Sequence, residues 1–408
     1  MSEGQRARFV EFVALMATLV SLVALSIDAM LPALGEIGRD LGVERENQAQ
    51  LVVTFIFLGI AVGQLAYGPL ADSVGRKPAL LCGLSIYLAG SALCLVSQTF
   101  PVMLVGRLLQ GLGAAGPRIV TLAIIRDRYE GRRMAQVISF VTAVFIIVPL
   151  IAPAMGQAIL LVAGWRAIFG AFLVIASGAG LWFWTRQEET LPRDHRTTFT
   201  LARIGQRLRE VLSSRAALGY TITAGFVFSP FLAYLSTAQQ VFEGQYGLGR
   251  LFPMYFAVLA LAIGVAALSN TRLVMRFGME RLVRFALRVT VVSALIFFAI
   301  AYAAAGQPPL VALVAFLLVV FFCQGILFGN LNALAMAPLG RVAGIGAAVV
   351  GTLSMVISIV GGTTMGQAYD GTVLPLVAGY GLFAIAALGA IKWADPGAAA
   401  SSSLQGEP

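Results

Sequence analysis

Twelve apolar segments, each about the length that crosses a bilayer, constrain this chain of 408 residues more than any other feature of its sequence. Hydrophobic residues make up 59% of the chain and charged residues only 12%, which is about half the charged share of a soluble domain. Backbone groups in lipid must be hydrogen-bonded within their own segment, so we expect helices. With approximate ends, the segments are 9–34, 48–71, 78–97, 101–125, 134–162, 166–185, 216–242, 251–275, 283–305, 309–335, 342–367 and 373–394.

The one long polar stretch, residues 186–215, divides the segments into two groups of six. We therefore predict an N-terminal six-helix half at 1–185, a cytoplasmic connector at 186–215 and a C-terminal six-helix half at 216–394. The small residues of 395–408 predict a disordered tail. Within the connector, apolar and arginine side chains alternate at helical spacing over 200–212, which predicts a short amphipathic helix on the inner membrane surface.

The arginines, which account for most of the net charge of +9, gather in alternate connections between the apolar segments. This bias predicts that both termini are cytoplasmic, and we expect a multi-pass protein of a bacterial inner membrane. Short basic loops suit anionic lipid better than a nucleic-acid groove, and no nucleic-acid partner is expected. Cys82, Cys94 and Cys323 fall inside apolar segments without metal-ligand spacing, so neither a metal nor another cofactor is expected.

Two charged residues of the first half, Asp28 and Arg107, lie inside apolar segments. A carboxylate at bilayer depth costs at least ~2.5 kcal/mol, which makes Asp28 a candidate for a functional role. Each residue lies about six positions from the same end of its segment, roughly 9 Å deep at 1.5 Å per residue. We predict that Asp28 carries a proton and that Arg107 influences it. The alternatives are a purely structural pair and an Arg107 that snorkels to the interface.

Four runs of the sequence then resemble one family. The run Gly68-Pro69-Leu70-Ala71-Asp72-Ser73-Val74-Gly75-Arg76-Lys77 resembles the G-x-L-A-D-x-x-G-R-K loop of the major facilitator superfamily. The run Arg107-Leu108-Leu109-Gln110-Gly111-Leu112-Gly113 resembles its proton-related fourth-span motif. The runs Ile27-Asp28-Ala29-Met30-Leu31-Pro32 and Gly164-Trp165-Arg166-Ala167-Ile168-Phe169 resemble the Bcr/CflA-type drug:proton antiporters within that superfamily, the 12-span group.

The resemblance covers essentially the whole chain and implies an all-α membrane fold of twelve transmembrane helices in two pseudo-symmetric halves. It also implies that Asp28 takes part in proton coupling, with Arg107 beside it. In the family, the first of these motifs closes the cytoplasmic side of the transporter. The residues that would form this cytoplasmic gate are Gly68, Asp72, Gly75, Arg76 and Lys77.

Weak internal repeats support two related halves. Residues 70–75 have a degenerate counterpart at 273–278, and residues 155–158 recur at 365–368. Such duplication is typical of secondary transporters, whose substrate site lies between the repeats.

Polar and aromatic side chains inside the apolar segments are candidates for substrate binding. Arg118 lies on the same helical face as Arg107 and either contacts a polar or anionic substrate or holds a helix. Asn330 and Asn332 cannot share one helix face, so we expect at most one to face a cavity, with an interhelical hydrogen bond as the alternative. The substrate-binding candidates of the second half are Phe231, Tyr234, Gln239 and Asn330.

The fifth segment contains Pro153 and Gly156, which predict a bend. It resembles the glycine-rich antiporter motif G-P-x-x-G-G, but Val148, Ala152 and Gln157 replace glycines there. A packing kink and a functional gate therefore both remain open for Pro153 and Gly156.

The leading interpretation is a proton-coupled exporter of small amphipathic organic compounds or drugs that works by alternating access. No ATP-binding motif or catalytic constellation is present in the sequence, so we expect a transporter and not an enzyme. The alternatives are a proton symporter that imports a small metabolite and a non-transporting membrane receptor. We expect a monomer whose partners are a small-molecule substrate, protons and the lipid bilayer.

Overall fold

A computed structural model describes residues 3–197, 201–339 and 343–394 of the chain, and these ranges are almost entirely helical, with no strand in them. The predicted tail at 395–408 lies outside the described residues. The helices are α1 (Glu3–Asp28), α2 (Leu34–Asp40), α3 (Leu51–Val74), α4 (Arg76–Leu95), α5 (Phe100–Arg128), α6 (Gly131–Arg186), α7 (Leu201–Ser213), α8 (Arg215–Gln239), α9 (Phe252–Phe277), α10 (Met279–Ala303), α11 (Leu310–Met336), α12 (Ala343–Gln367) and α13 (Leu374–Ala394).

Eleven helical stretches of the described chain are long and apolar enough to cross a membrane. The longest, α6, has 56 residues and contains Gly164 with φ 72° and ψ 174°, so the helix is interrupted there. The two parts of α6 correspond to the fifth and sixth predicted segments. The prediction of an all-α membrane fold with twelve spans is therefore confirmed.

The chain divides into two compact units. The first contains Met1–Thr200 with Gly249–Ala257, and the second contains Leu201–Leu248 with Val258–Pro408. In the first unit α5 packs along α3 and α4, while α1 packs against α6. In the second unit α8 packs along α12 and α13, while α10 packs against α11 and α13. Each unit is thus organised around one central helix, α5 in the first and α8 in the second.

The predicted connector has two structurally different parts. Its first part lies against the first unit, where the Lys77 ammonium donates to the carbonyl oxygens of Trp184 at 2.8 Å and Gln187 at 2.7 Å. Its second part forms α7, which confirms the predicted helix. The helix is amphipathic in its packing, because Val211 is buried whereas Leu212 is exposed. Its predicted place on the membrane surface stays a prediction.

The first span ends earlier than predicted. Helix α1 stops at Asp28, a turn follows at Ala29 and Met30, and a short 3-10 helix covers Leu31–Ala33 before α2 begins. Pro32 explains the end, because it has no N–H to donate to the carbonyl of Asp28 four residues earlier. The break places Asp28 at a helix terminus and not in the middle of a span.

Candidate functional site

Asp28 is buried at the end of α1, with 5% of its surface exposed. Within the described ranges, no hydrogen-bond donor and no cation pairs with its carboxylate. A charged carboxylate that is removed from water without a partner carries the full cost of desolvation, and uptake of a proton removes that cost. This geometry suits a group that carries a proton.

Arg107 is fully buried in α5 and uses most of its guanidinium donors. Both terminal nitrogens donate to the carbonyl of Ser26 at 3.1 Å, and Nε donates to the carbonyl of Val52 at 3.1 Å. A further bond goes to the side-chain oxygen of Gln110, and the guanidinium lies 5.8 Å from the centre of the Phe169 ring. The planar fork of arginine therefore joins α5 to α1 and α3.

Neutral polar groups extend this connection to α4. The Gln110 amide donates to the Ser91 hydroxyl at 2.9 Å, and the Ser91 hydroxyl donates to the carbonyl of Tyr87 at 2.8 Å. The hydroxyls of Tyr87 and Ser26 share a hydrogen bond of 2.6 Å. We call Ser26, Tyr87, Ser91, Arg107 and Gln110 the buried arginine network.

The alternative of a direct structural pair between Arg107 and Asp28 is wrong. Arg107 binds the backbone of Ser26, two residues before Asp28, and no salt bridge joins Arg107 to Asp28 among the described residues. The predicted influence of Arg107 on the protonation of Asp28 stays a prediction. Snorkelling is also wrong, because Arg107 is fully enclosed. Arg107 fixes the helix end that carries Asp28.

Arg118 lies three turns further along α5 and is only partly buried. No hydrogen bond or ion pair within the described part of the chain involves its guanidinium. It does not belong to the buried arginine network, so it does not hold a helix through a polar contact. A role in substrate binding stays a prediction.

Gly156 on α6 touches the turn that follows Asp28. A Cβ atom at Gly156 would lie 1.7 Å from the carbonyl oxygen of Ala29, so no larger residue fits. The backbone stays helical through Pro153, and within α6 the non-helical residue is Gly164. The predicted bend at Pro153 and Gly156 stays a prediction, and Gly156 lets α6 approach the end of the Asp28 helix.

The predicted gate motif forms a charged cluster between α3 and α4. The Arg76 guanidinium pairs with Asp72 in the last turn of α3, and its Nε lies 3.0 Å from a carboxylate oxygen of Asp127 at the end of α5. Gly75 separates the helices with φ 110° and ψ 159°, a conformation that is essentially restricted to glycine. The Lys77 ammonium, on the first turn of α4, donates to the carbonyl of Gln187 in the connector.

The structure corrects the predicted role of Gly68. Helix α3 continues to Val74, so Gly68 lies inside the helix and not in a turn. A Cβ atom at Gly68 would meet nothing within 4 Å, so close packing does not require glycine there either. Only Gly75 interrupts the helical backbone of this motif.

Glu189 also belongs to this cluster, although no pattern in the sequence predicted its place there. Its carboxylate accepts hydrogen bonds from the backbone N–H groups of Arg76 at 2.8 Å and Lys77 at 3.2 Å, which are the first two residues of α4. It also accepts from the N–H groups of Thr190 and Leu191, both at 3.0 Å. Acidic groups are favourable at a helix N-terminus. We call Asp72, Arg76, Asp127 and Glu189 the inner-loop network.

In the second unit, aromatic rings from α8 and α11 form a cluster around Phe231. Ring centres lie 5.4 Å away for Phe228, 5.7 Å for Phe321 and Phe328, and 6.5 Å for Tyr234. Phe228, Phe231 and Phe328 are partly exposed, whereas Phe321 and Tyr234 are buried behind them. The structure thus brings Phe231 and Tyr234 together, with Phe231 on the accessible side. We call these five residues the aromatic cluster.

Gln239 ends α8, and its amide donates to the carboxylate of Glu243 at 3.0 Å. Glu243 belongs to a π-helical turn over Gln240–Gln245, which the sequence analysis did not predict. The Tyr246 hydroxyl, just past this turn, donates to the carbonyl of Pro308 at 2.6 Å. Burial, and to a lesser degree the neighbouring Tyr369, raises the pKa of Tyr246 to about 12, so its hydroxyl keeps its proton at physiological pH.

Asn330 pairs with Asn270 on α9. Each side-chain amide donates to the oxygen of the other, at 3.2 and 2.9 Å, and Asn330 is 3% exposed. Asn332 is exposed, as expected for a residue on another face. The predicted substrate-binding role of Asn330 is not what the structure shows, because its amide is used by the interhelical hydrogen bonds that were the alternative.

The family described as the Major Facilitator Superfamily matches residues 16–363. The chain belongs to the major facilitator superfamily. Its buried arginine network and inner-loop network thus lie in the first half of a superfamily transporter, and its aromatic cluster lies in the second half.

Several curated relatives match this superfamily member over most of their length. An uncharacterized MFS-type transporter of Bacillus subtilis, YdgK, is 30% identical over 84% of this chain and 85% of its own. A chloramphenicol resistance protein of Pseudomonas aeruginosa is 30% identical over 85% of this chain and 80% of its own. The bicyclomycin resistance protein homolog of Haemophilus influenzae is 26% identical over 91% and 93%. These relatives confirm the resemblance to the Bcr/CflA-type group.

Solved structures show the same fold at low sequence identity. A D-xylose-proton symporter superposes with a TM-score of 0.74 at 16% identity, covering 94% of this chain and 98% of its own. The human organic anion transporter MFSD10 superposes with a TM-score of 0.67 at 18% identity, covering 95% and 99%. At such identities the likeness concerns the superfamily fold alone.

Proposed function

We propose that this chain exports small amphipathic organic compounds or drugs in exchange for protons, by alternating access of its two halves. Relatives of this chain carry the names of chloramphenicol and bicyclomycin resistance proteins. Family membership and these names support a drug exporter as the class. Proton coupling, the residues that perform it and the direction of transport are the parts that experiments must test.

The observation that carries the proposal is the burial of Asp28 without a partner at the broken end of α1. A mobile proton needs a site whose charged form is neither permanently paired nor freely solvated. Arg107 binds the preceding turn and leaves the carboxylate of Asp28 available. In the proposed cycle, Asp28 takes up a proton from the outer side, the halves change orientation, and the proton leaves on the inner side. Arg107 acts as a positioning residue.

The inner-loop network supports a gate on the cytoplasmic side. Its ion pairs and the Glu189 hydrogen bonds are local to one end of the first half, where they hold α3, α4 and α5 together. The arginine bias of the loops on this end supports a cytoplasmic position for both termini. We propose that the chain works as a monomer, without enzymatic activity, in a bacterial inner membrane.

The aromatic cluster supports a substrate surface in the second half. Phe231 is partly exposed and backed by four rings, an arrangement that suits an apolar or aromatic drug. Phe231→Ala should raise the Kd for chloramphenicol about tenfold, since the loss of one ring contact and its area removes on the order of 1.4 kcal/mol. Phe298→Ala, on α10 against Tyr302, is the matched control and should leave binding unchanged.

The deciding experiment measures chloramphenicol accumulation in inverted membrane vesicles that have an acid lumen. The wild type should accumulate the drug against its gradient, and a protonophore should abolish this accumulation. Asp28→Asn, which is always neutral, should lose uphill transport but retain drug exchange at equal concentrations. Glu44→Gln, at an exposed acid of the same half, is the control and should transport normally.

Each outcome distinguishes between functions. Drug that leaves the acid lumen together with protons would indicate a symporter. Binding without any flux would indicate a receptor. Uphill transport by Asp28→Asn that depends on the pH gradient would contradict the assignment of the proton site while leaving the superfamily fold intact.

A further inference from the structure

The outward face of α10 combines apolar and basic side chains in one row. Arg281, Phe285, Arg288, Val292 and Leu295 are all exposed and recur at spacings of three and four residues, so they share one face of the helix. α10 is one of the helices that are long and apolar enough to span the membrane. This face is therefore a surface of a membrane span that carries two positive charges.

Neither charge is neutralised within the described part of the protein. Arg284, between them on the same helix, pairs with Glu280 at 2.8 Å. No hydrogen bond or ion pair within the described ranges involves Arg281 or Arg288. An arginine in a span is costly unless its head reaches the interface or finds an anion. The two exposed arginines thus lack an internal counter-charge, in contrast to Arg284.

An apolar groove lies directly beside these arginines. It has a volume of about 400 Å³ and is lined by side chains of α9, α10 and α11, including Ala262, Phe285, Val289, Val319 and Phe322. Phe285 and Val289 flank Arg288 in sequence on α10. On α10 the groove therefore begins one turn beyond Arg281 and extends to the residue that follows Arg288.

Arg288 lies farther from the start of α10 than Arg281 does. Arg288 is nine residues after Met279, roughly 13 Å along the helix axis at 1.5 Å per residue. Its side chain tilts toward the N-terminal end of α10, so the charged head lies nearer to the interface than its Cα atom. A head at this level with an apolar groove extending deeper into the bilayer fits a molecule that has an anionic head and an acyl chain.

We propose that this face binds an anionic phospholipid, with its phosphate on Arg281 and Arg288 and an acyl chain in the groove of α9, α10 and α11. The proposal commits to a lipid because the groove opens on a membrane-spanning surface and the two exposed arginines attract an anion. Free phosphate would not use the groove. A zwitterionic lipid would gain less from the arginines, because its own cation balances its phosphate. The site is independent of the proposed proton coupling.

Native mass spectrometry of the delipidated full chain in detergent tests the proposal. Titration with phosphatidylglycerol should leave one lipid bound more tightly than titration with phosphatidylcholine. Arg288→Gln should weaken phosphatidylglycerol binding at least fivefold, whereas Arg133→Gln, at an exposed arginine of the first half, should not. Inorganic phosphate at equal concentration should not displace the lipid.

A second variant tests the contribution of the groove separately from that of the charge. Ala262→Leu fills part of the groove without a change of charge and should weaken phosphatidylglycerol binding by a similar factor. Equal retention of both lipids, or unchanged binding by both variants, would overturn the proposal. Displacement by inorganic phosphate would also overturn it, because it would mean an anion site without an acyl-chain site.

Discussion

The two halves of the molecule have similar helical architectures but different polar interiors. The first half contains Asp28 and Arg107, which are the fully or nearly fully buried charged side chains among the described residues. The buried polar groups described in the second half are amides and hydroxyls, such as Gln324, Asn330 and Ser358. Among the described residues, the first half thus has charged groups in its buried interior, whereas the interior of the second half has neutral polar groups and aromatic rings.

The two halves differ in the same way at the end that carries the repeated loop. In the first half, Asp72, Arg76 and Asp127 form ion pairs between α3, α4 and α5. In the second half, the reciprocal amide bonds of Asn270 and Asn330 join α9 to α11. Exposed charged pairs depend on ionic strength, whereas a neutral amide pair does not. The first half is therefore the better candidate for contacts that form and break during transport.

The repeated loops show which residues account for the difference in charge between the two halves. Gly75 and Gly278 both precede a helix with φ above 70° and ψ near 155°, so the backbone turn is common to the two halves. At the position of Asp72 the second half has Met275, which is 87% exposed. Arg276 contacts the ring of Phe277 at 5.2 Å. The turn is shared and the charged cluster is not.

The largest expected effect on stability is the loss of a buried charge, which we compare with the loss of a buried amide. Arg107→Met should leave the oxygens of Ser26, Val52 and Gln110 without their donor, at a cost of roughly 3 kcal/mol or more. Gln324→Leu removes one long hydrogen bond to the carbonyl of Val227, at a cost of about 1 kcal/mol.

Thermal unfolding of both variants in the same detergent checks this difference. Arg107→Lys should recover only part of the loss, because an ammonium cannot reach acceptors on two helices and a side chain at once. Equal shifts of the apparent Tm for Arg107→Met and Gln324→Leu would remove the contrast between the two interiors.

The next largest expected effect on stability comes from substitution of the glycine in each of the two turns. Gly75→Ala and Gly278→Ala both impose a conformation that costs about 1–3 kcal/mol for a residue with a Cβ atom. A Cβ atom at Gly75 would also lie 2.3 Å from a carboxylate oxygen of Glu189, whereas one at Gly278 would meet nothing within 4 Å.

Gly75→Ala should therefore lower the apparent Tm more than Gly278→Ala does. It should also reduce drug transport, because Glu189 must leave the first turn of α4. A smaller loss for Gly75→Ala would mean that Glu189 moves aside without consequence.

A smaller effect tests the amide pair of the second half. Asn330→Ala removes both bonds to Asn270 and leaves a half-buried amide without its partner, at a cost of about 1–2 kcal/mol. Asn332→Ala changes an exposed residue of the same helix and should cost less than about 0.5 kcal/mol. The difference in apparent Tm between Asn330→Ala and the wild type should be the same at low and physiological salt concentrations. A clear salt dependence of this difference would contradict the description of the pair as a neutral contact.

The sequence was sufficient for the helical segments, because these depend on local composition. It was also sufficient for the contact of Asp72 with Arg76, since the two residues are one helical turn apart. The functional role of Asp28 stays a prediction. The sequence could not show that α1 ends at Asp28 or that Arg107 binds the backbone of Ser26. It also could not show Glu189, whose partners lie 112 and 113 residues earlier in the chain. Such contacts depend on which surfaces the fold brings together.

The smallest effect concerns the connector and uses two adjacent acids. Glu189→Gln keeps the shape of the side chain but loses one acceptor oxygen and the charge at the start of α4, at a cost of about 1 kcal/mol. Glu188→Gln changes an exposed neighbour and should have almost no effect on stability.

The Glu189 carboxylate also lies 3.9 Å from Arg196. Loss of the Glu189 charge should therefore free this part of the connector. Trypsin should then cleave at Arg193 or Arg196 several-fold faster in Glu189→Gln than in Glu188→Gln, while the apparent Tm differs by only a few degrees. Equal cleavage of the two variants would mean that backbone contacts alone, such as the Thr197 N–H to the carbonyl of Asp72 at 2.9 Å, hold the connector in place.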